Sequence, residues 1–262
     1  MTRESRLASR IIPSAALALL AALWAGLVRI GWGLPPLFPM LPGAHGPLLV
    51  CGFLGTVIAV ERAVALGRRW TYVGPLFTGV GALTLIVTGT SVGAALITLG
   101  SLNLVAVFVL IVRRHPALHT AVMGGGALLW MVGNALRMAG RSIAEATPWW
   151  LGFLVLTIAG ERLELNRVLR LSRGSLGAFL GAVFLLLAGI TASGSVFKAG
   201  TQLAGAGMIA LALWLLRYDI ARRTIKKGGL TGFIAACLLS GYVWLGISGA
   251  LTLRFGGLTA GP

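Results

Sequence analysis

The sequence predicts an all-α, polytopic integral membrane protein of about nine transmembrane helices, built as one leading helix followed by two parallel four-helix repeats. Three observations carry that prediction. The 262 residues are 57% apolar and only 11% charged, with a mean hydropathy of +0.93, whereas an ordinary soluble domain is about 25% charged. Apolar runs of about 20 residues, the length that crosses a ~30 Å hydrocarbon core, recur along nearly the whole chain. Finally, residues 52–62 (GFLGTVIAVER) return as residues 152–162 (GFLVLTIAGER). Together these exclude a soluble globular enzyme, a disordered chain and a disulfide scaffold.

The first element follows Arg3, Arg6 and Arg10, a basic start that imitates a signal peptide. Its apolar stretch continues to Trp32 and no small-x-small cleavage site follows, so it reads as the first spanning helix, 11–32. A Pro- and Gly-rich connection, 33–44, carries Pro35, Pro36, Pro39 and Pro42. The remaining spans are expected at 45–66, 71–90, 93–112, 118–139, 148–166, 175–192, 197–217 and 229–252. This divides the chain into residues 1–44 (leading helix and loop), repeat one at 45–144 and repeat two at 145–262.

Charge gives the direction. The net charge of +16 would suggest nucleic acid in a soluble protein, but no basic stripe is interleaved with aromatics, so nucleic acid is excluded as a partner. With the N-terminus in the cytoplasm, the inner segments hold fifteen cations, among them Arg68, Arg69, Arg113, Arg114, Arg167, Arg170, Arg173 and the run Arg217 to Lys227. The outer ones hold five: Arg29, Arg137, Arg141, Lys198 and Arg254. Cationic loops stay inside and face anionic lipid, and an odd number of spans puts Pro262 outside. Trp32, Trp149 and Trp150 fall in the outer interfacial belt and Trp70 in the inner one. The lipid bilayer is the first partner.

Glycine, at 38 residues, is abundant. Helix association in lipid depends on small residues that let backbones approach, and Gly124-Gly125-Gly126, Gly200, Gly205 and Gly207 fit that use better than a phosphate-binding loop.

The repeated phrase ends on Glu61-Arg62 and Glu161-Arg162. Glu61 lies about 16 residues beyond His45, ~24 Å along a helix, in the cytoplasmic third of the bilayer. A charge at the bilayer centre costs roughly 2–3 kcal/mol, so all four are expected to pair inside the bundle. Neighbours on a helix point about 100° apart and pair poorly, so the expectation is reciprocal: Glu61 with Arg162, and Glu161 with Arg62. Independent snorkelling of the arginines and a proton or ion path are the alternatives. Two further polar residues, Asn134 and Arg137, lie within the fifth span, and Trp130-to-Asn134 is echoed by Trp244-to-Ser248 in the ninth.

Cys51 and Cys237 both fall in apolar runs without C-x-x-C spacing, so neither a disulfide nor a zinc site is expected. His45 opens the second span and His119 the fifth, from opposite faces, so they are not expected to share a metal. Each offers one imidazole to a haem, or one ligand to a copper site completed elsewhere, or simply meets head groups. His115, beside Arg113 and Arg114, is solvated. No paired carboxylates, catalytic triad, H-E-x-x-H or Walker element is present, and nothing in the chain alone makes an enzyme.

His45-Gly46-Pro47 followed by Gly52-Phe53-Leu54, and His119 followed by Gly124 and Gly140, resemble the NnrS family and related proteins built like the core subunit of haem-copper oxidases. The resemblance runs from about His45 to Arg254. It implies a bacterial inner-membrane protein linked to haem and copper binding and to nitric-oxide stress, within a fold of twelve spans in three four-helix arcs. The chain departs from the pattern at Gly43, where the family carries a second histidine. It is also similar to a group of bacterial membrane proteins with the G-F-L…E-R-L-E-L phrase, in which a further histidine-bearing unit follows. On that likeness the chain, ending at Gly261-Pro262, is a shortened member without the third arc. Three function classes stand open: an NnrS-like protein binding haem or copper, a small-molecule or ion transporter, and an assembly subunit whose partner is another membrane protein or a second copy.

Overall fold

Much of the apolar side-chain surface is exposed. In this computed structural model the residues described are 3–35, 37–89, 91–169 and 171–256, the first four in backbone only. Pro36, Arg170, Gly261 and Pro262 lie outside the described residues, as do the side chains of Arg3 and Arg6. Many large apolar side chains point outward, with Phe184 at 72% and Trp244 at 68% exposure, while many of the closest helix contacts are made at Ala and Gly. Such a surface requires hydrocarbon as its solvent.

Among the described residues there is no strand, and nine long helices follow in order: α1 (Arg3–Arg29), α2 (Pro42–Leu66), α3 (Val73–Thr88), α4 (Ser91–Arg114), α5 (Leu118–Met138), α6 (Ile143–Leu165), α7 (Arg173–Ser193), α8 (Phe197–Tyr218) and α9 (Gly229–Phe255). Eight belong to segments long and apolar enough to cross a membrane. The other, α5, has 21 residues, enough for ~31 Å at about 1.5 Å each, but His119, four glycines, Asn134 and Arg137 dilute its apolar character. The chain is an all-α polytopic membrane protein.

Local chemistry sets the ends. Proline opens α2, where its missing N–H costs nothing. Gly67 and Gly89 close α2 and α3 in the left-handed conformation at φ 61° and 62°. Ser172 caps α7 by accepting the Ser175 N–H at 3.1 Å. The 33–44 connection is held to α1: the Trp24 indole donates to the Pro35 carbonyl at 3.0 Å, and Leu41 is buried.

The chain divides into two units. One comprises residues 1–115 and 130–143, the other 116–129 and 144–262. The leading helix therefore belongs to the first unit rather than standing apart, and α5 contributes a half to each.

In the first unit α1 presents a buried stripe of Ala8, Ile11, Ala15, Ala18, Ala22 and Ala25, a spacing of three and four that keeps one helix face turned to its neighbours. Ser14 and Ala18 on that helix meet Gly79 of α3 and Gly52 of α2 so closely that neither glycine has room for a Cβ. In α3 and α4, Gly81 and Gly93 face each other, and a Cβ on either would lie 2.8 Å from the other's carbonyl oxygen.

In the second unit the core is larger and includes Phe153, Phe179, Leu186, Ile190, Leu211 and Trp214. The Phe179 and Trp214 rings meet at 4.8 Å between centroids, tilted by 58°, and the Trp214 indole donates to the Ser175 carbonyl at 2.8 Å. Gly200 and Gly207 of α8 lie against α7, and Gly205 against Gly249 of α9, which is the packing role expected of them. Gly126 also packs: a Cβ there would sit 3.0 Å from the Phe153 carbonyl.

The two copies of the repeated phrase do comparable work within their own units. Gly52 makes room for Ala82 of α3, and Gly152 for Ile190 of α7. Their backbones differ, because Leu48–Gly55 winds as a π-helix while Ile143–Leu165 is regular α-helix. The echo of Trp130 by Trp244 does not extend to environment: Trp130 is fully buried and Trp244 is 68% exposed. Cys51 is buried and Cys237 exposed, so a membrane-permeant maleimide is expected to label Cys237 in the folded protein and to leave Cys51 unmodified, as read by mass spectrometry of the two peptides.

Candidate functional site

His45 sits in a berth formed by α1. Pro42 and a single turn of 3₁₀-helix, Pro42–Ala44, start α2 and place His45 at the first α-helical position. Its ring lies over Gly26, where a Cβ would approach within 2.9 Å of Nδ1 and Cε1. Nδ1 is 2.7 Å from the Ala22 carbonyl oxygen. A carbonyl only accepts, so Nδ1 carries the proton. In the neutral ring the lone pair then belongs to Nε2, the arrangement that orients a ligating imidazole in metal proteins.

Six residues further along α2, the π-helical segment turns Cys51 into the first unit. The Cys51 thiol donates to Asn134 Oδ1 at 3.2 Å and accepts the Trp130 indole N–H at 3.3 Å. Gly55 faces the Trp130 indole with no room for a methyl. π-helical turns recur at functional sites, where one extra residue re-aims a side chain. Here the turn aims a thiol whose donor and acceptor capacity is engaged. Composition already flagged Asn134. Its bond to Cys51 spans 83 residues, and that of Trp130 to the same thiol spans 79, so no local pattern announces either.

His119 is buried at the start of α5, and its Nε2 lies 3.8 Å from Glu164 Oε1 of α6, both in the second unit. That nitrogen faces a carboxylate. Glu164, the second acid of the E-R-L-E-L phrase, is a residue that sequence reasoning passed over.

Among the remaining candidates, Glu61 is mostly exposed, with its side chain at 58%, and its Oε1 lies 3.3 Å from Arg62 Nη2. These adjacent helix residues do pair, contrary to the expectation from their angular separation of about 100°, because the long arginine side chain covers the angle between them. Arg62 itself is 13% exposed in its side chain, with its guanidinium 5.9 Å from the Phe108 ring centroid. Glu161 and Arg162 are half-buried on α6. Arg137, a cation in the last turn of α5, where the helix dipole favours it, donates to the Arg141 carbonyl just past the helix end.

A buried carboxylate that sequence reasoning missed is Asp219, 2% exposed after α8. It accepts the Ala221 N–H at 2.6 Å and the Tyr242 hydroxyl at 2.9 Å, while Asn166 accepts the neighbouring Ile220 N–H at 2.9 Å. These bonds join the turn to α6 and α9.

Among the described residues no three of His, Cys, Asp and Glu come together to hold a metal ion. A copper centre needs several soft or imidazole ligands, so copper held by these residues alone does not fit His45. A haem iron needs only one protein imidazole, and the donor chemistry of His45 fits that.

The fold and these sites define a multi-pass α-helical membrane protein with repeated sequence. A family model described as a domain of unknown function, DUF8744, matches residues 6–262, and the chain belongs to that family. No curated protein and no solved structure matches it.

Proposed function

We propose that this protein is an NnrS-like protein of the bacterial inner membrane, with its N-terminus in the cytoplasm, that holds a haem through His45. One observation carries the reading: the Ala22 carbonyl takes the Nδ1 proton at 2.7 Å and Gly26 makes room for the ring, so a single imidazole is held with Nε2 as its basic nitrogen. A histidine that only met head groups would need no such berth. A bound haem supplies redox chemistry and binding of a diatomic gas. The chain's share is to orient the ligand and, through the apolar helices around it, to lower the local dielectric.

The expected result is a Soret band from protein purified after growth with haem precursor. His45→Ala should lose at least nine-tenths of it, while His115→Ala and His119→Ala retain it. A preparation that stays colourless, or a Soret band that survives in His45→Ala, overturns the assignment and leaves transport or assembly as the function to test.

A further inference from the structure

The second unit contains a cavity of about 520 Å³ between α6, α7, α8 and α9, in the size range of small-molecule sites, roughly 300–1,000 Å³. It does not touch His45. Its walls are apolar, with Leu151, Val155, Leu186, Ile190 and Met208 among them. Two of its hydroxyls are used internally: Thr252 donates to the Ser248 carbonyl at 2.8 Å, and Thr201 has the Phe197 and Gly256 carbonyls within 2.8 Å. These walls suit a hydrocarbon occupant rather than a polar solute.

Length and charge narrow the occupant. The lining runs from Ala144 to Val155 on α6 and from Phe197 to Met208 on α8, ~17 Å along each helix, close to the ~15 Å depth of one leaflet. At the helix-end level stand Phe197 and Phe255, each beside an exposed cation. Arg254 lies 5.4 Å over the Phe255 ring, and the Lys198 stem runs against Gly256. Glu145, in the first turn of α6, is an acid at the same end, so the balance of these three is positive. An apolar slot one leaflet deep, with a net cationic rim, matches one acyl chain with an anionic head.

We propose that this cleft seats an acyl chain of an anionic phospholipid whose phosphate is met by Lys198 and Arg254. The full chain, placed in nanodiscs of equal phosphatidylglycerol and phosphatidylcholine and then extracted, is examined by native mass spectrometry. One phosphatidylglycerol per chain is expected, favoured about fivefold over phosphatidylcholine. The double variant Lys198→Gln, Arg254→Gln should lose that preference and still retain a lipid. Ser248→Trp should retain neither lipid. Leu251→Phe, at a second exposed lining position, should do the same and replaces Ser248→Trp if that variant lowers the melting temperature. Equal retention of the two lipids by the wild type, a preference that survives the double variant, lipid retained in both filled variants, or a lipid-free dimer each overturns the proposal. The haem reading is scored separately by the Soret band, which none of these variants touches.

Discussion

Gly189→Ala, a single added methyl group, is expected to separate α7 from α8 and leave little folded protein. A Cβ at Gly189 would overlap the backbone nitrogen of Ala204 and come within 2.5 Å of its Cα. Backbone atoms cannot rotate aside, so the helices themselves must move. The contact is one of three in register: Gly200 faces the backbone of Ser193, and Gly207 that of Leu186 at 2.5 Å. Close approach of this kind carries helix association in lipid, where no apolar driving force acts between helices. Overpacking usually costs 1–3 kcal/mol, and a backbone clash at the centre of a helix pair is expected to exceed ~3 kcal/mol. Gly181→Ala is the control, because nothing lies within 4 Å of its added Cβ. On helix propensity alone it is expected to be neutral or to stabilise by up to ~1 kcal/mol. Thermal unfolding of the detergent-solubilised variants separates the two. Equal melting temperatures for Gly189→Ala and Gly181→Ala would show that α7 and α8 are not in contact at these glycines.

The solvent and the helices were legible because both follow from composition and run length, which need no partner. The glycines of α8 were legible as packing residues, since small residues in a spanning helix have few other uses. The buried face of α1, by contrast, was not read from the sequence, because Ala16 and Ala21 interrupt any alanine period and only the fold shows which face is turned inward. His45 stood out as an ionisable residue at the start of a span. What could not be read is contact between elements far apart in sequence. Nothing near Cys51 announces Trp130 or Asn134, and nothing local marks the π-helical winding of Leu48–Gly55, because its repeated counterpart at 152–155 is regular helix. Asp219 was passed over for a related reason. In a basic loop it reads as a solvated charge, and only the fold brings Tyr242 to it. Glu61 shows a different failure, in which helix angles were weighed without side-chain length.

Trp130→Ala is expected to cost the first unit about 3–5 kcal/mol, the usual range for truncating a buried aromatic. Trp130 is fully buried; it fills the space that Gly55 leaves and donates its only N–H to Cys51. Volume and hydrogen bond can be weighed against each other. A neutral hydrogen bond contributes about 1 kcal/mol net, and a sulfur acceptor is weaker still, so the cavity should dominate. Trp130→Phe keeps much of the bulk without the N–H and is expected to fall well short of the alanine cost. Gly55→Ala attacks the same contact from the other side, since its methyl would enter the indole, and should also destabilise. The two sites share one contact, so the double variant Gly55→Ala, Trp130→Ala should be more stable than the sum of the single changes predicts, the added methyl occupying part of the cavity. Opening the site also exposes the thiol, so Cys51 should react with a permeant maleimide in Trp130→Ala and stay protected in Trp130→Phe. Equal losses of stability in the phenylalanine and alanine variants would show that the indole N–H, rather than the ring's volume, holds α2 to the second half of α5.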